Sequence, residues 1–354
     1  MIYMQKKKIR FIAVGNYGNI MISSNIEELS KYNHLIIDTS YHDLAKSFIS
    51  SKIQIGHVLT GGQGTQGDPA IGEAAALEIR EELEDFLEGA DLVFIIGGLG
   101  GGTATGAIPV IAEMVKSTGA LTVTVVTYPF SFEGKDREKI AMVGIDNLMK
   151  KSDATFVIKN DFLILESDKQ IDMKDIFSQL GKSFYKKIEV ILNLLKLPGT
   201  MPFDFNKFEA LLKDSELCLI TSGKAFGVNR AKQALENALN NPYYHGSISN
   251  AHKILLNVSS NGDIEVDEFE NIGNLVRSYI NNKIDDFVLG ITLNHTLNSE
   301  IEVTLIGTNV TSQRNYTNVH FPMDENNSAQ KEISQTKSQE KTNEEISIPK
   351  WLKG

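Results

Sequence analysis

The sequence predicts an α/β fold whose N-terminal half is built on a parallel β-sheet, with a second, smaller α/β block after it. Three observations predict it. Short runs rich in Val, Ile and Phe alternate with helix-like stretches over the first 160 residues or so. Clusters of glycine fall where those apolar runs end. A long amphipathic stretch, from about Asp172 to Leu195, then separates this half from further alternating elements.

Each element follows from its pattern. Ile9–Val14, Leu35–Asp38, Leu92–Gly97, Leu121–Thr127 and Thr155–Ile158 are short apolar runs bounded by turn residues, as expected of strands buried on both faces. Helices are expected between them at Ala70–Glu88, Ala107–Ser117 and Lys135–Lys151. Along the long stretch, Ile176, Leu180, Phe184, Ile188, Ile191 and Leu195 recur at spacings of three and four, the period of a helix with one apolar face. Leu197-Pro-Gly-Thr breaks it. Beyond the break, Phe205–Leu212 and Asn229–Leu239 read as helices. Leu217–Thr221, Ile254–Ser259, Phe287–Asn294 and Ile301–Thr308 read as strands. The expected domains are residues 9–171, a central helix and break at 172–199, and a C-terminal block at 200–310. Residues 311–345 are rich in Asn, Ser, Thr, Gln, Glu and Lys, too polar to offset chain entropy, and are expected to be a disordered linker. Residues 346–354 restore apolar character and carry the single tryptophan.

Composition narrows the function. Hydrophobic residues make up 42% and charged residues 23% of the 354, ordinary values for a globular core. A formal charge of −10 argues against a nucleic-acid coat, which needs a basic face. It leaves room for a nucleotide, because backbone N–H groups hold phosphate without lysines. One cysteine, Cys218, allows no intrachain disulfide and fits a reducing cytoplasm. The apolar run after the lysines of Met1–Lys8 is too short for a signal peptide, and no stretch approaches the length of a membrane span. The chain is therefore expected to be soluble and cytoplasmic, with no direct membrane insertion.

The densest chemical signal is Gly97-Gly-Leu-Gly-Gly-Gly-Thr-Ala-Thr-Gly106, set between a strand and a helix. Six glycines in ten residues exceed what a tight turn needs. They let successive N–H groups aim at one anion, with the helix N-terminus adding positive potential and Thr103 and Thr105 adding hydroxyls. The run lacks the Gly-Lys-Ser/Thr ending of a P-loop. Weaker candidates read as structure. The seven histidines, His42, His57 and His245 among them, show no metal-ligand spacing. Cys218 lies in an apolar strand and reads as core, and the acidic stretch Glu73–Glu88 reads as a solvated face.

The glycine run resembles the signature of the FtsZ/tubulin superfamily, and the sequence around it is similar to FtsZ in particular. The likeness continues through Ala107-Ile-Pro-Val-Ile-Ala112, Gly119-Ala-Leu-Thr-Val, Val125-Val-Thr-Tyr-Pro-Phe-Ser-Phe-Glu-Gly134, Val157-Ile-Lys-Asn-Asp161 and Ile301-Glu-Val-Thr-Leu-Ile-Gly. The resemblance implies a Rossmann-like domain that binds GTP or GDP and admits Mg2+ with the nucleotide, and it implies head-to-tail self-assembly into filaments. It gives Gly15, Gly18 and Asn19 to a first phosphate loop, with Asn16 and Tyr17 where glycines are usual. It gives Gly100, Gly101, Gly102, Thr103, Ala104 and Thr105 to the main phosphate loop, Ala104 replacing a glycine. Glu133 and Arg137 would hold the ribose, Asn160 would read guanine, and Phe177 would stack on it. Taken alone, Glu133 and Arg137 read as a surface i,i+4 pair.

Two departures from the family pattern bear on activity. Gly181 stands where the family carries an aspartate that accepts from guanine, which should weaken the preference for that base. The loop that completes hydrolysis in the next subunit is matched by Pro202-Phe-Asp-Phe-Asn-Lys207. Asp204 remains as the catalytic candidate, but Pro202 replaces an asparagine and Lys207 an aspartate. An ammonium cannot take a proton from attacking water, so GTPase activity is expected to be slow or lost. Ile348-Pro-Lys-Trp-Leu-Lys353 resembles the peptide by which FtsZ docks onto membrane-tethering division proteins. The expected function is a filament that organises the division septum. The alternatives are a plasmid or phage segregation tubulin, and a binding-only regulator that co-assembles with an active FtsZ.

Overall fold

Strands β1 (Ile9–Val14), β2 (Asn33–Asp38), β3 (Lys52–Gln54), β4 (Leu92–Gly98), β5 (Leu121–Tyr128) and β6 (Ala154–Lys159) pair in parallel in the spatial order 3-2-1-4-5-6. The computed structural model describes residues 7–161, 176–196, 201, 204–240, 247–280 and 284–310. These belong to one compact unit, Met1–Val319. Pro202, His245, the Leu197-Pro-Gly-Thr break, the polar linker and Ile348–Lys353 lie outside the described residues.

Four further strands extend the same sheet. They are β7 (Leu217–Ala225), β8 (Lys253–Ser260), β9 (Asp286–Leu293) and β10 (Ile301–Thr308). β10 runs antiparallel to both β7 and β8, and β9 lies parallel to β8 at the edge. The two halves meet through a narrow parallel seam of two residue pairs, Thr155 with Leu217 and Phe156 with Cys218. Lys116 reinforces it, pairing with Asp153 at 3.0 Å and with Asp214.

The helices that matter for the site are α1 (Gly15–Ser23), α2 (Pro69–Ala76), α3 (Thr103–Ser117), α4 (Lys135–Lys151), α5 (Ile176–Lys196) and α6 (Phe205–Leu212). They cover apolar strands: β1 is fully buried over Phe11–Val14, and β4 over Leu92–Ile96. Strand order reverses between β1 and β4, so the crevice at their carboxyl ends is where an open α/β sheet admits a ligand.

Several elements depart from the sequence expectation. Helix α3 begins at Thr103, inside the glycine run, because Gly102 already has helical backbone angles. The stretch expected as one helix over Ala70–Glu88 is broken: α2 gives way to a short 3-10 turn at Leu77–Ile79, and a new helix spans Arg80–Leu87. Helix α1, the three-residue β3, and the helix Val266–Tyr279 were not anticipated. α1 contains two glycines and two asparagines, poor helix formers that tertiary packing overrides.

Candidate functional site

A cleft of about 540 Å³ opens at the carboxyl ends of β1 and β4. Gly15 at the start of α1, Gly101, Gly102, Thr103 and Ala104 at the start of α3, Glu133, Arg137, Asn160 and Phe177 all line it. So do Tyr17, Thr65, Gly67 and Thr127, which the sequence reading did not assign. Gly18, Asn19, Gly100 and Thr105 stand behind the lining instead. Gly18 packs against β4: a β-carbon there would come within 2.8 Å of the Ile96 carbonyl. Asn19 is buried and accepts from Ser23 Oγ. Thr105 is buried and accepts from the Gly100 N–H at 3.0 Å, which shapes the loop from within.

The glycines of the run have separate tasks. Gly100 holds φ at +98°, a backbone conformation that side chains rarely adopt. A β-carbon at Gly102 would lie 2.2 Å from Thr65 Oγ1, and one at Gly106 would lie 1.9 Å from the Pro69 carbonyl. Those two let α2 press against α3. At Gly101 a β-carbon would meet nothing within 4 Å, so this is the glycine whose bare backbone faces open space in the cleft. Arg137 is the one cation among the described lining residues. An anion here would therefore rest mainly on backbone N–H groups and the N-terminus of α3.

The far wall is more polar and more aromatic. Glu133 accepts from the Phe130 N–H at 2.9 Å and from Arg137 Nη1 at 2.7 Å. Ser131 donates twice to Asp161, anchoring this turn beside Asn160. Asn160 is buried, and its Oδ1 accepts from the Tyr17 hydroxyl at 3.0 Å. Tyr17 meets Phe177 edge-on, with ring centroids 6.2 Å apart. Burial, with the nearby Glu133 charge adding to it, pushes the Tyr17 phenol well above its ordinary range, so it stays protonated.

Gly181 is not among the described lining residues; it lies on the face of α5 that crosses α1, next to Ile20. A β-carbon there would come within 2.9 Å of Ser24, and Asn25 Nδ2 donates to the Gly181 carbonyl at 2.9 Å. Ser24, the residue after α1, fills the space beside that β-carbon. Asp204 accepts from the Asn206 N–H at 3.1 Å and caps α6, and Lys207 occupies the first turn of that helix.

Known proteins share the sequence pattern and the fold. Residues 8–167 match the family model described as Tubulin/FtsZ family, GTPase domain, and residues 217–311 match FtsZ family, C-terminal domain. A cell division protein FtsZ from Wigglesworthia glossinidia brevipalpis is 36% identical over 304 residues, covering 85% of this chain and 79% of that protein. One from Buchnera aphidicola subsp. Acyrthosiphon pisum is 35% identical over 309 residues, covering 87% and 80%. Among solved structures, an empty FtsZ dimer from M. jannaschii superposes with a TM-score of 0.75 at 31% identity, covering 91% of this chain and 97% of that one. CetZ2 from Haloferax volcanii, solved as a GTPγS-bound protofilament, reaches 0.74 at 17% identity over 87% and 95%, a likeness of fold.

Proposed function

The chain belongs to the FtsZ/tubulin family, and from that premise we propose that it is a GTP-binding cytoskeletal protein of the division septum. It polymerises head to tail in the cytoplasm and hydrolyses GTP weakly or not at all. The observation that carries this reading is the convergence of Gly101, Glu133, Asn160 and Phe177, from distant parts of the chain, on one cleft at the N-terminus of α3. The triphosphate lies along Gly101 to Ala104, the ribose against Glu133 and Arg137, and the base between Asn160 and Phe177. Glu133 is the one carboxylate among the described lining residues and is already engaged. A magnesium ion would therefore be held mainly by phosphate oxygens and water.

Weak hydrolysis follows from the loop that would enter the neighbour's site. Asp204 keeps a carboxylate there, while Lys207 offers an ammonium that cannot accept a proton. The same residues support the second reading, a binding-only subunit that co-assembles with an active FtsZ, because Asp204 already has a capping role in its own chain. Residues Ile348–Lys353 would dock the filament onto a membrane-tethering partner. The test combines calorimetry of GTP binding with pelleting and phosphate release by the purified full chain. GTP binding with nucleotide-dependent pelleting supports the filament reading. Binding without pelleting, reversed by adding an active FtsZ, supports the second. Absence of GTP binding would overturn both.

A further inference from the structure

The stretch that leads into Asp204 and Lys207 is fastened to the open edge of the sheet. β9 is the last strand in the order, paired on one side with β8. On its other side Ile291 forms a single antiparallel bridge with Met201. The Ile291 N–H donates to the Met201 carbonyl at 3.1 Å, and the Met201 N–H donates to the Ile291 carbonyl at 3.3 Å. A strand turns the main-chain groups of alternate residues to opposite sides. Gly290 and Thr292 therefore serve β8, as Asn294 does by donating to the Ser260 carbonyl at 2.7 Å, and this leaves Ile291 for Met201.

Main chain rather than burial holds Met201, which is 45% exposed. The next residue in sequence is Pro202, and a proline disfavours helical angles in the residue before it. Met201 is thereby biased towards the extended form that a bridge requires. Three residues on, Asp204 caps α6, so no more than about 10 Å of chain separates it from the bridge. α6 is tied to the same pair of strands. Its Phe208 is fully buried, and Lys253 Nζ, on β8, donates to the Ala210 carbonyl at 3.2 Å. Met201 and α6, on either side of Asp204, are thus both anchored to β8 and β9.

We propose that Ile291 is a positioning residue for assembly: its main chain holds Met201, and with it the approach to Asp204 and Lys207, in the form that a second copy of this chain receives. This rests on the filament reading above, in which that stretch enters the neighbour's cleft. A stretch ordered in advance loses no further chain entropy on contact, whereas a loose one must be fixed at that moment. The bridge therefore acts on how readily subunits join and leaves the binding of nucleotide to a single subunit alone.

The experiment is GTP-dependent pelleting of the purified full chain over a range of protein concentrations, with calorimetry of GTP binding and a thermal midpoint for each variant. Ile291→Pro removes the N–H that the bridge takes from β9 and spares the ladder to β8. Leu289→Pro is the control, because Leu289 turns to the same open side without a described partner there. Ile291→Pro should raise the pelleting threshold by about 10-fold, the factor that follows from the backbone entropy of one freed residue. Its affinity for GTP should stay at the parent value, and Leu289→Pro should assemble like the parent. Met201→Pro removes the other donor of the bridge; it should match Ile291→Pro, and it decides the question if that variant does not fold. Folded bridge variants that pellet at the parent threshold would overturn the inference. So would a Leu289→Pro as impaired as Ile291→Pro, since general damage to the edge strand would then suffice. Both results leave GTP binding and filaments standing. A parent that binds GTP and never pellets would sink the filament reading, and this inference with it.

Discussion

The hydroxyl of Thr39, just past the end of β2, lies 2.7 Å from the hydroxyl of Thr103, the first residue of α3. Thr39 is fully buried, so this contact ties the outer part of the sheet to the helix N-terminus at the cleft. Thr39→Val keeps the shape and removes the bond. It should cost about 1 kcal/mol of stability in urea denaturation, the net worth of such a hydrogen bond. It should also weaken GTP binding by up to about 10-fold, because the first turn of α3 loses its brace. Unchanged stability and affinity would mean that the two hydroxyls merely touch.

Gly101 and Gly102 should part company on substitution. Gly102→Ala forces a methyl against Thr65 and Asp68, and should destabilise the fold by about 1–3 kcal/mol. Gly101→Ala meets open space and should leave the thermal midpoint alone while weakening GTP binding at least about 10-fold. A Gly101→Ala protein that binds GTP normally would move the phosphates elsewhere in the cleft.

The capping role of Asp204 makes Asp204→Ala an ambiguous test of catalysis. Loss of the cap should cost about 1 kcal/mol whatever happens to turnover. Asp204→Asn preserves the acceptor and removes the charge, so it should leave stability unchanged and abolish residual hydrolysis. Lys207→Asp places an acid on the first turn of α6 and should stabilise it by about 0.3–1 kcal/mol. It should also raise GTP turnover by about 100-fold or more, and only above the protein concentration at which polymers form. Fast turnover by the parent chain, measured as phosphate release, would show that Lys207 is compatible with hydrolysis.

Asp38 gives the apo protein a definite pH dependence. Burial raises its carboxyl to about 6, and the Asp43 charge adds to this against the Ser40 N–H bond. In the unfolded chain the group ionises near 4. Between those values the folded state holds the extra proton, so stability falls as pH rises from about 4 to about 6 and stays lower beyond. Asp38→Asn keeps an acceptor for Ser40 without the charge. Its stability in urea denaturation should match the parent near pH 4 and exceed it at pH 7, by on the order of 3 kcal/mol. Parallel pH profiles for the two proteins would contradict this.

Much of this architecture is legible in the chain because burial writes itself into composition. β1, β10 and α6 have the limits that apolar runs and spacing give them, and α4 runs from Lys135 to Lys151 as expected. What escapes is packing that sequence encodes at a distance. The glycine run reads as one phosphate device, yet half of its six glycines make room for Tyr17, Thr65 or Pro69. Tyr17 reads as a lapse in a glycine loop because its partner, Asn160, is 143 residues away. The helix Val266–Tyr279 was readable: Glu265 and Glu268 form a capping box, and Ile272 and Val276 are buried four residues apart. Asp204, directly before a helical pattern, also carries the ordinary mark of an N-cap.

The seam between β6 and β7 holds the chain's single thiol. Cys218 pairs with Phe156 across that seam and is wholly buried, and burial pushes the thiol far above its ordinary pKa, so almost no thiolate is available. An alkylating reagent can reach it only when the two strands part. The rate of labelling therefore becomes a clock for that parting, readable in the unaltered protein with one reagent and a mass spectrometer. It would show whether nucleotide or filament contacts keep the two halves of the sheet shut for longer.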